Sequence, residues 1–238
     1  PVLGNHEGDY EDYAYSMALY PEYFANGGWY SFDHKRAHFF VIENNSDASD
    51  STLRGYSSCR PNGGINTPGS PQREWLDADL ATRPADTRWT FGFGHRSYYG
   101  AEGYSGRKNV YEGRSGEDAI CRVMEDAGVA VFFNGDQHCY TRSKSIRDGG
   151  PARPGEPSTV YLTCGGAGGR INRGSKREPP LAFPALHELP ADTYETGFKD
   201  HHFFLLCRVT DDRFHADVID TSGALLDSFT MKHPLAGR

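Results

Sequence analysis

The chain has 238 residues, 37% of them hydrophobic and 13% aromatic, which is enough for one sizeable core rather than several domains. No apolar run approaches the roughly 20 residues that a membrane-spanning helix needs, so we expect no membrane association. The formal net charge of -7 argues against a protein that binds nucleic acid through a general basic surface.

The first third of the chain predicts a strand end, a hairpin and a loop. Residues 1–3 are a short apolar run that is followed directly by a glycine, as at the end of a strand. Residues 29–32 and 37–42 are apolar runs on either side of a polar tetrapeptide, which is typical of a β-hairpin. His38 lies within the second run, and we expect it to pack in the core. Residues 44–69 are rich in Ser, Asn and Gly and predict a long surface loop.

Two amphipathic helices are predicted in the middle of the chain. Ser70 is a suitable N-cap and Pro71 a suitable first residue for the earlier helix. Three apolar residues give that helix a buried stripe: Trp75, Leu76 and Leu80. The later helix is predicted over residues 117–127, where apolar residues recur at helical spacing, and Gly128 is placed to end it.

Apolar strands alternate with these helices, which predicts an α/β protein. Residues 89–93 form one strand, and residues 129–133 are so apolar that we expect a central strand covered on both faces. Residues 159–164 predict another apolar strand of this kind. Residues 202–231 contain three alternating strands in close succession, which predicts an antiparallel meander at the end of the chain.

The five cysteines are odd in number and scattered, without a C-x-x-C pair. A metal site built on thiolates is therefore not expected. We interpret the cysteines as small buried residues, with room for one disulfide: Cys59, Cys121, Cys139, Cys164 and Cys207.

Three predicted strands each stop at a glycine and then present side chains that can bind a metal. The first presents Asn5 and His6, the second His95, and the third Asp136 and His138. In open α/β sheets, functional sites lie beyond the carboxyl ends of strands, so we expect these residues to converge. Histidine, asparagine and aspartate without cysteine suit Zn, Fe, Mn or Mg. The pattern indicates hydrolysis assisted by a metal acting as a Lewis acid.

The three junctions also have the form of a known set of motifs. Residues 4–7 read G-N-H-E, residues 93–95 read F-G-H, and residues 135–142 read G-D-Q-H-C-Y-T-R. These resemble the motifs G-N-H-[ED], a single-histidine motif and G-H-x-H-A-Y-E-R of the calcineurin-like metallophosphoesterases, most closely the purple acid phosphatase branch. The connecting segments resemble that branch too, so the resemblance covers nearly the whole chain.

The resemblance implies a role for each junction residue. Asn5 and His95 would bind one metal ion and His138 the other. His6 would face the substrate, contact the phosphate and help to protonate the leaving oxygen. Two ions, iron with zinc, manganese or a second iron, would hold the phosphoryl group for in-line attack.

Two further residues are candidates for phosphate contacts. Arg96 and Tyr99 follow His95 directly, and an arginine can present two parallel donors to phosphate oxygens. For Arg96 the alternative is a surface salt bridge, and the sequence leaves the two open.

The chain departs from the family pattern at two places within the site. Asp136 stands where the family has the first histidine of G-H-x-H; aspartate can still bind a metal through oxygen and would favour a harder ion. The histidines that the branch uses on the leaving group have no counterpart within residues 97–116. That absence places more of the general-acid role on His6.

The family motifs that precede G-N-H-E, namely D-x-G or D-x-H and then G-D-x-x-Y, are absent here. We therefore expect residues 1–238 to be an N-terminally incomplete catalytic domain that carries about half of a dinuclear site. Its fold would be the downstream half of a four-layer αββα sandwich, and its partner the missing N-terminal segment. An exposed sheet face would make the isolated chain prone to aggregate. The resemblance also implies a secreted or periplasmic protein.

Three functions remain open at this point. The first is a metal-dependent phosphoesterase acting on phosphate monoesters or diesters. The second is a non-catalytic descendant that keeps the fold and binds sugar or protein through a tyrosine-rich surface. The third is a mononuclear hydrolase whose ion is held by four residues: Asn5, His95, Asp136 and His138.

Overall fold

The computed structural model describes residues 1–4, 28–45, 64–99, 113–114, 116–169, 194–198 and 200–233. Its strands are β1 (Tyr30–His34), β2 (Ala37–Val41), β3 (Trp89–Gly94), β4 (Val131–Asn134), β5 (Tyr140–Arg147), β6 (Gly150–Pro151), β7 (Thr159–Cys164), β8 (Tyr194–Phe198), β9 (Phe203–Val209), β10 (Arg213–Asp220) and β11 (Leu225–Lys232). Its helices are α1 (Pro71–Ala81) and α2 (Ile120–Asp126). Within these ranges no helix has the length and apolar character to cross a membrane.

The strands form one large mixed sheet and one small sheet. The large sheet has the order β1-β2-β3-β4-β7-β5-β6, with β8 paired to β5. Its four middle strands, β2, β3, β4 and β7, run parallel, so that their carboxyl ends share one edge. The small sheet is the antiparallel meander β9-β10-β11 that the sequence predicts.

The large sheet is covered on both faces. The helices pack on one face, where Leu76 and Met124 join Phe40 and Phe132 of the sheet in one buried cluster. The small sheet packs on the other face, where Phe214 contacts Phe91. This helix–sheet–sheet layering is that of the downstream part of an αββα sandwich, and it makes β4 the central strand that the sequence predicts.

The local signals for the hairpin and the first helix are confirmed. β1 and β2 pair as an antiparallel hairpin, with Lys35 in the turn at a φ of 54°. The hydroxyl of Ser70 accepts a hydrogen bond from the backbone N–H of Arg73 at 3.3 Å, and Pro71 opens α1. An oxygen at this position satisfies an N–H that the helix itself leaves unbonded.

Two predicted boundaries are wrong. The second helix begins at Ile120 rather than at residue 117, because Ala119 is the N-cap and residues 116–119 form a turn. The predicted surface loop does not begin at residue 44: Asn44, Asn45 and Ile65 are buried, whereas residues 67–69 at its other end are exposed as predicted. Residues 46–63 of that loop lie outside the described residues.

The cysteines agree in part with the prediction. Cys121 and Cys139 are buried and unbridged, while Cys207 is exposed and Cys164 half-buried, both also as free thiols. Cys59 lies outside the described part of the chain.

The outer small sheet exposes apolar side chains. Phe204 and Leu206 on β9 are 53% and 41% exposed, and Leu225 on β11 is 61% exposed. The prediction that the isolated chain aggregates rests on such a surface and stays a prediction.

His38 ties the hairpin to α1. Its Nδ1 lies 2.9 Å from Oδ1 of Asp33, and its Nε2 lies 2.9 Å from Oδ2 of Asp79. Burial alone lowers the pKa of His38, but the hydrogen bonds and charges of Asp79 and Asp33 outweigh burial, and the net pKa is raised. With a carboxylate at each ring nitrogen, the imidazole is stabilised in its doubly protonated form.

We expect the contribution of His38 to stability to depend on pH. Because its pKa is raised on folding, its stabilisation is fully present below the unfolded value of about 6.5 and is lost as pH rises through the folded value. His38→Gln should therefore lower the free energy of unfolding by about 1.5–3 kcal/mol at pH 6 and by less at pH 9. Urea titrations at both pH values measure this, with His34→Gln at the exposed end of β1 as control. A deficit that is equal at both pH values would contradict the assignment.

Candidate functional site

The parallel register brings two of the predicted junctions together. Gly94 at the end of β3 is paired with Asn134 at the end of β4. His95 and Gly135 follow these two residues, and the Gly135 N–H donates to the carbonyl of His95 at 3.0 Å. The two polar turns therefore begin at the same level on the same edge of the sheet.

His95 and Asp136 form the centre of this edge. Nε2 of His95 lies 3.5 Å from Oδ1 of Asp136, and the Asp136 side chain is 3% exposed. The Asp136 backbone has a φ of 63°, a left-handed conformation that aspartate tolerates better than most residues. The sequence prediction that these two strand ends converge agrees with this placement.

Arg96 holds the same carboxylate. Its Nη1 donates to Oδ1 of Asp136 at 2.9 Å, and both side chains are 3% exposed. The Asn44 side chain fixes the Arg96 backbone from both sides: its Nδ2 donates to the carbonyl at 2.9 Å, and its Oδ1 accepts from the N–H at 2.8 Å. Of the two alternatives for Arg96, the structure contains a salt bridge, buried rather than at the surface.

Tyr99 is not brought to this edge. It is fully buried in the cluster on the helix side of the sheet, where its ring lies 4.5 Å from that of Tyr161 between centroids. Its hydroxyl donates to the carbonyl of Arg114 at 3.3 Å, and burial raises the pKa of Tyr99. In this position the hydroxyl is not accessible to a phosphate at the strand ends.

His138 lies in a turn that is packed against the residues following β7. A Cβ at Gly169 would stand 3.1 Å from Cε1 and Nε2 of His138, so only a glycine fits there without movement of the ring. A Cβ at Gly165 would stand closer still to the backbone of Gln137, and the Gly165 N–H donates to the carbonyl of Cys139 at 3.2 Å. The space beside the His138 turn thus has room for glycine, and not for a larger residue, at two positions that follow β7.

Asn5 and His6 lie outside the described residues, but the residues before them are placed. The Asn45 side chain donates to the carbonyl of Leu3 at 2.7 Å, and Tyr30 donates to that of Pro1 at 3.1 Å. Val2 lines the same cavity as His95. Residues 1–3 are thus held next to the edge of the sheet where β3 and β4 end.

The cavity beside His95 has a volume of about 380 Å³. Most of its wall is apolar and comes from both sheets, including Phe93 and Phe133 of the large sheet and Phe203, Phe204 and Leu205 of the small one. His95 and Asn134 are among the few polar residues that line it.

Sequence reasoning missed a group of neutral side chains that hydrogen-bond to one another next to the ends of β3, β4 and β7. Nδ2 of Asn134 donates to Oγ of Ser97 at 2.5 Å and to Oγ1 of Thr163 at 2.9 Å. Asn44, the clamp on Arg96, follows the end of β2 as the predicted residues follow the ends of β3 and β4. That position at a strand end is the signal that could have identified it.

The described residues supply only part of a metal centre. The 3.5 Å between His95 and Asp136 is close to the roughly 3.4 Å that separates two ligands of a tetrahedral ion with bonds of about 2.1 Å. In the parts of the chain that the structure describes, however, no three His, Cys, Asp or Glu side chains come together to hold an ion. The oxygen of Asp136 that faces His95 is also paired with Arg96. By themselves, these residues do not fit a metal centre.

Comparison with known proteins gives a consistent result. A family model described as calcineurin-like phosphoesterase matches residues 1–140. Purple acid phosphatase 22 of Arabidopsis thaliana is 31% identical over 122 residues, which is 50% of this chain and 26% of that protein. The chain thus spans about a quarter of the curated relative.

Two solved structures share the fold. Purple acid phosphatase PPD1 from yellow lupin (Lupinus luteus) seeds superposes with a TM-score of 0.62 at 16% identity, over 86% of this chain and 32% of that one. GAP50, described as the anchor in the inner membrane complex of Plasmodium, superposes with a TM-score of 0.54 at 14% identity, over 88% of this chain and 55% of that one.

Proposed function

The chain belongs to the calcineurin-like phosphoesterase family, and from this premise we propose that it hydrolyses phosphate esters, chiefly phosphomonoesters, at the edge where β3 and β4 end. The observation that carries the proposal is the distance of 3.5 Å between Nε2 of His95 and Oδ1 of Asp136. His95 is the residue type that its motif requires, and Asp136 is one that its motif tolerates. Each of them follows a glycine at the end of a parallel strand, and the two strand ends share one edge of the sheet.

The family uses dinuclear metal centres, and we propose iron with zinc, manganese or a second iron for this protein. Asn5 and His95 are proposed ligands of one ion and His138 of the other, with Asp136 beside them. Ions held there would supply Lewis-acid stabilisation of the charge that develops on the phosphoryl group. The remaining acidic ligands are proposed to come from an N-terminal segment of the same domain, residues 1–238 being its downstream portion.

The protein side chains have separate tasks in this proposal. His6 is the proton donor to the leaving oxygen. The neutral hydrogen bond between Asn134 and Ser97 keeps the strand ends fixed, so that His95 does not need to reorganise during the reaction.

Resemblance to the purple acid phosphatases supports a secreted or periplasmic location.

A non-catalytic binding function is the second candidate, and one observation favours it. Asp136, a proposed ligand, is already neutralised by Arg96. GAP50, which shares the fold, is described as the anchor in the inner membrane complex of Plasmodium. In that case the apolar side chains exposed on β9, Phe204 and Leu206, would be the surface that contacts a partner protein.

The two candidates are separated by metal content and turnover. We expect the chain, prepared together with the proposed N-terminal segment and loaded with iron and zinc or manganese, to hydrolyse an aryl phosphate, and His95→Ala to lower kcat/KM at least about 100-fold. Loss of a partner that merely orients a metal ligand already costs about 10–100-fold. His34→Ala, at the end of β1 on the opposite edge of the sheet, is the matched control and should keep full activity. Metal per chain is counted by mass spectrometry.

A folded protein that includes this segment, binds metal and has no turnover would favour the binding function over the enzyme. Turnover that survives His95→Ala would also contradict the proposal, because it would put the chemistry elsewhere.

A further inference from the structure

Glu125 on α2 is a fully buried carboxyl group that has no part in the proposed reaction. Its Oε2 accepts a hydrogen bond from the backbone N–H of Asp148 at 2.9 Å, and its Oε1 lies 3.3 Å from the hydroxyl oxygen of Tyr161. We propose that Glu125 is a pH-sensitive latch, which as a neutral acid holds the turn between β5 and β6 against α2 and on ionising releases that turn. The inference does not depend on the proposed function.

The neutral acid satisfies both contacts without burying a charge. Its carbonyl oxygen accepts from the Asp148 N–H, and its hydroxyl can donate to the oxygen of Tyr161. An ionised carboxylate would instead be cut off from water beside the apolar cluster of Met124 and Tyr161. Burial therefore raises the pKa of Glu125 from its usual value of 4.5 to about 7, although both hydrogen bonds and the charge of Arg147 act in the opposite direction.

The other titratable groups around Glu125 come from each element that packs against it. They act on Glu125, on its partner or on each other: Tyr99 and Arg114 before α2, Cys121 on α2, Arg147 and Asp148 at the end of β5, and Tyr161 on β7. Burial raises the pKa of both phenols and of the thiol, so these three groups stay neutral between pH 5 and pH 7. The guanidinium of Arg147 attracts the carboxylate but is itself paired with Asp126.

The turn is the part of this contact that can open. Asp148 and Gly149 have φ angles of 48° and 84°, and the left-handed conformation is less favourable for aspartate than for glycine. The Asp148 side chain is 47% exposed, so a small outward movement of the turn would admit water to the Glu125 carboxylate. Oδ1 of Asp148 also accepts from the N–H of Gly116 at 3.0 Å, and opening the turn would therefore free the residues that precede α2 as well.

The direction of the pH effect follows from the raised pKa of Glu125. The closed turn binds this proton more tightly than the open turn, in which the pKa returns towards 4.5. The latch is therefore complete below pH 4.5 and is lost as pH rises through about 7, the pKa in the closed state. We expect the equilibrium constant for opening the turn to rise at least about 10-fold between about pH 5 and pH 7 and to level off above this range.

Amide hydrogen exchange measures this opening directly. The protection factor of the Asp148 N–H, corrected for the intrinsic exchange rate at each pH, should fall at least about 10-fold from about pH 5 to pH 7, and that of Gly116 should fall with it. The N–H of Phe91, in the middle of the large sheet, should change less, because it reports the stability of the whole fold. Glu125→Gln keeps an oxygen for the Asp148 N–H but cannot ionise, so its protection factor at Asp148 should vary less than about 2-fold over the same range.

Glu156→Gln is the matched control. Glu156 also accepts a hydrogen bond from a backbone N–H, that of Arg153 at 2.8 Å, but it is exposed. This variant should keep the wild-type pH dependence of protection at Asp148.

Two results would overturn the inference. One is a wild-type protection factor at Asp148 that does not change between pH 5 and pH 7, and the other is a Glu125→Gln variant with the pH dependence of the wild type. If Glu125→Gln does not fold, the wild-type chain decides the question alone, because an equal fall at Asp148 and Phe91 would mean that the whole fold, and not the turn, responds to pH.

Discussion

Replacing Phe214 with alanine is expected to lower the free energy of unfolding by about 3–5 kcal/mol, the usual cost of truncating a buried phenylalanine. Phe214 is 1% exposed and packs against the large sheet together with Ala216 of the same strand, β10. Its ring centroid lies 5.2 Å from that of Phe91 and 6.4 Å from those of Trp89 and Phe133. Alanine at this position would leave a cavity between the two sheets.

Phe204→Ala is the matched control for this prediction, since it makes the same change on the adjacent strand β9. Its ring is 53% exposed, so we expect a loss below about 1 kcal/mol. Urea denaturation followed by circular dichroism measures both variants. A similar loss in the two would mean that the contact between the sheets does not stabilise the fold as the structure indicates.

Replacing Gly165 with alanine is expected to disturb the turn that carries His138. A Cβ at Gly165 would stand 1.9 Å from the carbonyl oxygen of Gln137 and 2.7 Å from its carbonyl carbon. Both are backbone atoms, so the overlap cannot be relieved by rotating a side chain. We expect a loss of about 1–3 kcal/mol in unfolding free energy, typical of overpacking. We also expect at least a 10-fold loss of phosphatase activity, because His138 would move.

Gly168→Ala tests whether the effect belongs to the contact rather than to the loop. Gly168 lies three residues further along, and nothing stands within 4 Å of the Cβ position there. This variant should keep wild-type stability and activity. If Gly165→Ala also keeps both, then the turn around His138 adapts easily and is not held by the end of β7.

The elements that carry local signals could be predicted from the sequence. Ser70 and Pro71 define the start of α1 by chemistry within a single turn. The apolar runs that end in glycine define β3 and β4, and with them the places of His95 and Asp136. The predicted αββα fold class, with this chain as its downstream part, is confirmed by the family match and the superposition on a solved phosphatase.

Other elements depend on tertiary contacts and carry no such signal. The strand β5 was not predicted, because its sequence, YTRSKSIR, is mostly polar; Thr141 and Ser143 are nevertheless buried between β7 and β8. Likewise, nothing in the order of residues shows that Arg96 pairs with Asp136 or that Tyr99 turns into the core. Those outcomes are set by which strands become neighbours.

The strand order also has a consequence for how the site is assembled. β4 pairs with β7 rather than with β5, the next strand along the chain, and β5 then returns to pair with the other side of β7. The turn with Asp136 and His138 is therefore enclosed only after the chain beyond it has been made and has folded back. Contacts between segments distant in sequence form slowly, because a long loop must be closed first. During synthesis the residues proposed for catalysis are thus present well before the geometry that aligns them, and the growing chain cannot act on a substrate until β7 is in place.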